Sequence, residues 1–283
     1  MTPDTQHLEP FELLALRYAH HDRKRRDNFI DGDPHDGSMP LDYYLWVARN
    51  SQATYVIDTG FDACTAQKRG RTLLCDPGSA LQSLGVEPAT VQDVIVTHLH
   101  YDHIGNFGLF PKANFHLQDA EMAYATGRCM CSGRLRHPYE VEHITGMIRC
   151  LYQERVRFHQ GDATLTPGLS VHLIGGHTLG LQCVRVWTRR GWVVLASDAS
   201  HHYEHYETGR PFPNLVRLDD MIAGYDKLRA LASSGDHIIP GHDPLVMQRY
   251  PAPSPQFEGL CVQLDLEPHK EVPLAHLQSA EVA

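Results

Sequence analysis

Asp93-Val-Ile-Val-Thr-His-Leu-His-Tyr-Asp-His-Ile-Gly-Asn106 decides how this chain is read. It begins as an apolar, β-branched run of the kind that forms a buried strand. It then delivers His98, His100, Asp102 and His103 within six residues. Packing gives no reason to collect three imidazoles and a carboxylate at the end of a strand. Coordination does, because both groups are natural ligands of a borderline divalent cation such as zinc. Such a site needs further groups from elsewhere, and three positions stand out. His177 follows Ile174-Gly175-Gly176, Asp198 follows Val193-Val194-Leu195-Ala196-Ser197, and His242 lies in Ile238-Ile239-Pro240-Gly241-His242-Asp243. Each falls where an apolar run gives way to a turn, and the glycines beside His177 and His242 allow close backbone approach. Alone, each reads more readily as a satisfied loop residue or a helix cap. Together the seven agree in type and context, and the expectation is a two-metal hydrolase site.

Composition sets the frame around that site. The 283 residues, 42% hydrophobic and 21% charged, suit a globular protein, taken here as one domain over residues 1–283. A formal charge of −9 argues against nucleic acid as the main partner, since phosphate binding wants a basic surface. Seven cysteines, Cys64, Cys75, Cys129, Cys131, Cys150, Cys183 and Cys261, lack the spacing of a disulfide framework or a zinc knuckle. They suit a reducing cytoplasm. The opening Met1-Thr-Pro-Asp-Thr-Gln6 has no basic-then-apolar pattern of a secretory signal. No apolar run approaches the roughly 18 to 20 residues of a membrane span.

Hydrophobic patterning places strands at 11–18, 41–49, 54–58, 114–117, 171–174, 182–188, 192–197 and 237–239. Helices are expected at 79–84, 119–126, 139–152 and 219–233, with Asp119 as an N-cap. Residues 20–27 are a charge run that reads as a solvated loop, or as an anion or subunit contact. The proline-rich tail from about 252 loses periodicity and reads as an irregular arm. Strands, a helical insertion at about 119–155, further strands and a helix give an α+β chain. Its sheets are flanked by helices, with the ligands on loops at one edge.

The pattern His98-X-His100-X-Asp102-His103, joined by His177, Asp198 and His242, resembles the metallo-β-lactamase-fold superfamily. Within it, the chain is most similar to the N-acyl-homoserine lactonase-like family. Ile57-Asp58-Thr59-Gly60, Gly176-His177-Thr178, Ser197-Asp198-Ala199 and Pro240-Gly241-His242-Asp243-Pro244 carry the resemblance beside the central stretch. It implies a four-layer αββα sandwich with two Zn2+, or other divalent transition metals, in a groove at one sheet edge. It also implies that His98, His100 and His177 hold one ion, that Asp102, His103 and His242 hold the other, and that Asp198 bridges them. His100 stands where redox di-iron relatives carry a carboxylate, which favours zinc hydrolysis. A hydroxide shared by the cations would open a lactone ring, N-acyl-homoserine lactone or a related one, while Asp102 helps move the proton to the leaving alkoxide.

One position departs from the family. Many homoserine lactonases place a tyrosine three residues after the bridging aspartate, and here that residue is His201, followed by His202 and Tyr203. Either His201 or Tyr203 polarises the substrate carbonyl, or the substrate differs; His201 also reads as a surface helix residue. Asp58 either orients a ligand histidine or stabilises its Asp-Thr-Gly turn. Candidate pocket residues are Tyr101, Phe107, Met130, Tyr203 and Phe212. The expected partner is a small ester or lactone, with no nucleic acid and no membrane, and analogy adds a homodimer. Competing readings are a thioester or other ester hydrolase, a nuclease, and a non-catalytic metal-binding protein.

Overall fold

Alternation along the first two strands builds the layers. β1 (Glu12–His21) and β2 (Leu41–Arg49) pair antiparallel and are apolar almost throughout. Successive side chains of a strand point to opposite faces. Leu14, Leu16, Tyr18, Leu45 and Val47 accordingly enter one hydrophobic cluster, and Leu13, Ala15, Tyr44, Trp46 and Ala48 a second. Both faces of this sheet are therefore covered, which is why its strands read as continuous apolar runs. The computed structural model describes residues 7–35 and 37–269. Residues 1–6, read above for a secretory signal, and the arm beyond 269 lie outside the described residues.

β3 (Thr54–Ile57), β4 (Thr72–Leu73), β5 (Asp93–Ile95), β6 (Asn114–Gln118) and β7 (Val156–His159) extend the first sheet. β8 (Ala163–Thr166), β9 (Leu169–Leu173), β10 (Gln182–Thr188), β11 (Gly191–Ser197) and β12 (Ile238–Pro240) form the second. β13 (Cys261–Gln263) returns to the edge of the first. The orders are β13-β1-β2-β3-β5-β6-β7, with β4 on β1, and β12-β11-β10-β9-β8.

Helices cover the outside. α1 (Ala63–Arg69), α2 (Pro77–Ser83), α3 (Tyr101–Ile104), α4 (Asp119–Ala125), α5 (Gly133–Arg136) and α6 (Val141–Tyr152) belong to the first half. Ala66, Leu81, Met122, Ile144 and Met147 from these helices join the outer cluster of the first sheet. α7 (Tyr203–Thr208), α8 (Leu218–Leu231) and α9 (Leu245–Arg249) pack in the cluster that holds the second sheet, through Tyr206, Met221, Tyr225 and Val246. The result is the expected order of helices, sheet, sheet and helices. No helix among the described residues is long and apolar enough to cross a membrane.

The differences from the sequence reading lie at edges. The arm past residue 252 is not irregular throughout, because Cys261–Gln263 pairs with β1 from Leu14 to Leu16. A three-residue strand is too short to show a period of two, and β1's open edge supplies what its composition does not announce. β7 and β8 are short, part-exposed strands in which apolar and polar residues alternate, so they carry no apolar run. Gln118, not Asp119, is the N-cap of α4.

Parallel pairing brings the site together. β3 and β5 are parallel neighbours, as are β11 and β12. Their C-terminal ends therefore reach one edge, delivering Asp58 and His98 from the first sheet and Asp198 and His242 from the second.

Candidate metal centre

The turns that leave these strands are held by one buried threonine. Asp58 and Ser197 both adopt the left-handed backbone region, at φ 60° and 48°, which residues other than glycine seldom do. Their side chains converge on Thr97. Asp58 Oδ1 accepts the Thr97 N–H at 2.8 Å, Asp58 Oδ2 accepts the Thr97 hydroxyl at 2.8 Å, and the Ser197 hydroxyl donates to Thr97 Oγ1 at 2.8 Å. The ends of β3, β5 and β11 are thus tied at the residue before His98. Gly176 and Gly241 allow the other two ligand loops to approach. A Cβ on Gly176 would lie 2.7 Å from the Met221 backbone, and one on Gly241 2.6 Å from the Ser197 carbonyl oxygen.

All seven expected ligands come together, and all are buried. His98 Nε2 and His177 Nε2 lie 3.0 and 2.9 Å from His100 Nδ1. Asp198 Oδ2 lies 3.1 Å from His177 Nε2 and 3.8 Å from His98 Nε2. The other oxygen, Asp198 Oδ1, lies 3.3 Å from His103 Nε2 and 3.0 Å from His242 Nε2. Asp102 Oδ2 closes that second group, 3.6 Å from His103 Nε2 and 3.9 Å from His242 Nε2. One carboxylate therefore offers one oxygen to each of two donor sets.

These donors fit a pair of divalent cations. His100 Nδ1 faces the ring nitrogens of both His98 and His177, and as a neutral ring atom with one proton or one lone pair it can satisfy only one of them, whereas a cation among the three would be shared by all. Their spacing approaches the roughly 3.3 Å between ligands at the corners of a tetrahedral zinc site. In the second set, His103 Nε2 is buried with no hydrogen-bond partner. The outward nitrogens are occupied, which fixes where the inward lone pairs point. His103 Nδ1 donates to Asp58 Oδ2 at 2.7 Å, His177 Nδ1 to the Asn214 carbonyl at 2.5 Å, and His242 Nδ1 to the Asp42 carbonyl at 2.8 Å. Of the two readings of Asp58, this geometry supports the orienting one.

Electrostatics divide the two sets. Burial, then the neighbouring His103 and His100 rings, holds the His98 imidazole well below its ordinary value, and burial with His177 does the same to His100. Burial also opposes charge on His103 and His242. There the carboxylates win, with Asp198 first, and both rings are raised. Burial works against the Asp198 carboxylate too, yet the surrounding histidines, His242 foremost, keep it well below the usual range.

His201 belongs to the site and is not a surface residue. It is buried, its Nε2 lies 3.1 Å from Asp198 Oδ2, and Phe212 stacks flat on it with ring centroids 3.5 Å apart. Burial holds it well below the ordinary imidazole value despite Asp198, so the neutral ring donates through Nε2. Tyr203 is not brought to the cluster. It opens α7, where its N–H bonds Asp243 Oδ2, and the helical turn sends its ring into the core beside Arg249, 4.9 Å from the guanidinium. Phe107 also misses the site, lying in the outer core against Phe115 and Gly146. Met130 lines a cavity beside the centre, and the Tyr101 hydroxyl accepts from Arg71 at 3.1 Å.

Glu121 was missed. It is fully buried and accepts the N–H groups of Leu99 at 2.9 Å and Gly180 at 3.1 Å, with the Tyr139 hydroxyl at 3.2 Å. It thereby joins the loop of His98 and His100 to the loop of His177. Its signal was faint: an acid on the same helical face as the buried Tyr124 and Ala125.

The Metallo-beta-lactamase superfamily model matches residues 40–250. An N-acyl homoserine lactonase AttM of Rhizobium johnstonii is 31% identical over 169 residues, covering 58% of this chain and 62% of that protein. An N-acyl homoserine lactonase of Bacillus cereus is 29% identical over 154 residues, covering 54% and 52%. The chain thus matches somewhat more than half the length of these relatives. Among solved structures, an N-acyl homoserine lactone hydrolase with N-hexanoyl-L-homoserine at its catalytic metal centre superposes with a TM-score of 0.71 at 20% identity, over 85% of this chain and 96% of that one. The dizinc quorum-quenching lactonase AidC superposes with a TM-score of 0.64 at 17% identity, over 84% and 90%.

Proposed function

From its place in the metallo-beta-lactamase superfamily, to which this chain belongs, we propose that it is a dinuclear zinc hydrolase that opens a lactone ring. The substrate class is an N-acyl-homoserine lactone or a related lactone, as the names of the relatives suggest. The observation that carries the reading is Asp198, whose two oxygens face two separate histidine sets. When bound there, two divalent cations supply Lewis acidity and lower the pKa of a water to about 7.

The chain's own groups do the rest. Asp58, Asn214 and Asp42 hold the ligand rings in one tautomer, so the site needs no rearrangement as charge develops. Asp102 Oδ2, at the edge of the second set, is placed to carry a proton toward the leaving oxygen. His201 takes the place of the family's tyrosine as the donor to the substrate carbonyl; to do so its single N–H, which here rests on Asp198 Oδ2, would pass from that carboxylate to the substrate. All seven cysteines are unpaired, which supports a reducing cytoplasm, and the exposed edges β7 and β8 leave room for a homodimer.

Elemental analysis combined with a pH-indicator screen over lactones, aryl esters and thioesters tests this on wild type and on His103→Ala. The expected result is close to two zinc ions per chain, acid release with lactones, and a loss of at least about 100-fold in the variant. A folded wild type without transition metal removes the site assignment. Turnover of thioesters alone replaces the lactone reading with thioester hydrolysis.

A further inference from the structure

Beside the metal centre lies a cavity of about 710 Å³ whose wall is cationic. Lys68, Arg69, Arg71 and Arg136 line it with a single carboxylate, Glu140. That carboxylate is already taken: Lys68 Nζ lies 2.6 Å and Arg69 Nη2 2.7 Å from its oxygens. The chain as a whole carries −9, so this concentration of positive charge runs against its average. Met130, Val141 and Ile144 give the same cavity an apolar side. The cavity reaches the metal ligands through Tyr139, whose ring meets His100 edge-on at 4.6 Å. A neighbouring cavity of about 460 Å³ touches His100 and His177 and shares Gly133 and His137 with the first.

Arg71 is the informative residue. It is half-buried, and no carboxylate among the described residues lies within 4.0 Å of its guanidinium. Its Nε donates to the Tyr101 hydroxyl at 3.1 Å, and Nη1 donates to the Arg69 carbonyl at 2.7 Å and to His21 Nε2 at 3.2 Å. Nη2 makes no hydrogen bond among the described residues. Tyr101, its anchor, stands between the ligands His100 and Asp102. A guanidinium withdrawn from water is normally matched by an anion. The local field is positive enough that burial, with Arg71 and Arg23, lowers His21 to about 4.

We propose that this cavity recognises an anion on the substrate: a carboxylate or phosphate, remote from the scissile ester and joined to it by an apolar spacer. This rests on the ester-hydrolase reading above. Arg71 presents its Nη2 edge to the anion, Arg136 at the mouth adds a second charge, and Met130, Val141 and Ile144 cover the spacer. A neutral acyl chain would occupy the apolar side and leave Arg71 unmatched. Charge-assisted hydrogen bonds to a guanidinium are strong enough to make the anion the main determinant of selectivity.

The experiment compares two homoserine lactones acylated with glutaric acid, one ending in the free carboxylate and one in its primary amide. The zinc-loaded wild type should open the carboxylate form with a kcat/KM at least about tenfold higher. In Arg71→Gln the ratio should fall to within about threefold of one. Arg71→Lys, which keeps the charge and loses the fork, should retain part of it. Arg136→Gln, at an exposed position, should lower the ratio as well, and decides the matter if Arg71→Gln does not fold. Equal turnover of the two forms, or preference for the amide, overturns the anion pocket and leaves ester hydrolysis standing. If neither ring is opened, the lactone reading fails. Calorimetric titration with the two ring-opened acids then reads the pocket alone. Tighter binding of the diacid by about tenfold, lost in Arg71→Gln, supports it, and equal affinities overturn it.

Discussion

Replacing Asp58 with asparagine tests whether the ligand geometry is set from outside the donor sets. In the wild type, Asp58 Oδ1 accepts the Thr97 N–H, while Oδ2 accepts both the Thr97 hydroxyl and His103 Nδ1–H. An asparagine would keep its carbonyl toward the Thr97 N–H, which cannot turn away. Its amide then takes the place of Oδ2 and meets two donors. The Thr97 hydroxyl can rotate and accept instead, but an imidazole cannot. His103 must give up the Nδ1 proton or leave a buried N–H unmatched, and the competing tautomer puts the proton on Nε2, the atom turned toward Asp198. Removing a partner of this kind costs about 10- to 100-fold in metal affinity, or roughly 1.4 to 2.7 kcal/mol. The loss should fall first on the ion held by Asp102, His103 and His242, so Asp58→Asn dialysed against graded chelator should pass through a state with one zinc per chain. Competition with a chromophoric chelator gives both affinities, and a thermal melt at saturating zinc separates weak binding from poor folding. Wild-type affinity at both positions, within about twofold, would refute the tautomer argument.

Other outcomes follow from the same geometry. Gly180→Ala places a Cβ 2.1 Å from the Glu121 backbone nitrogen, and should lower stability by about 1 to 3 kcal/mol, read as a fall of several degrees in Tm. Without metal, the Asp198 carboxylate raises His103 and His242 above the ordinary imidazole value against the effect of burial, so they keep protons to higher pH than free imidazoles, whereas zinc needs their lone pairs. Zinc affinity should therefore rise as pH increases through those raised values and fall below them; calorimetry in two buffers of different ionisation enthalpy, repeated across pH, should show proton release on binding that disappears above those values. Stripping the metal leaves a buried cluster of opposed imidazoles, so the apo-protein should melt lower by about 3 kcal/mol or more relative to zinc at 100 times its Kd, measured by denaturant titration.

Much of this was legible in the chain itself, for a physical reason. A ligand's identity is its chemistry, and histidines and aspartates at the ends of apolar runs stand out because the periodic pattern stops where they begin. His98 to His103, His177, Asp198 and His242 could be collected that way, and so could the layers, since β1 and β2 announce burial on both faces. Other features left little trace in the residue types. The carbonyls of Asp42 and Asn214 orient two ligand rings, yet every residue has a carbonyl. Glu121 looks like any helix acid until the loops of Leu99 and Gly180 close over it. His201 and Tyr203 are two positions apart, and only the start of α7 sends one to Asp198 and the other into the core. Local sequence determined which groups could bind metal. Tertiary structure decided which oxygen of Asp198 faces which set, and which guanidinium waits beside them, because those relations join residues far apart in the chain.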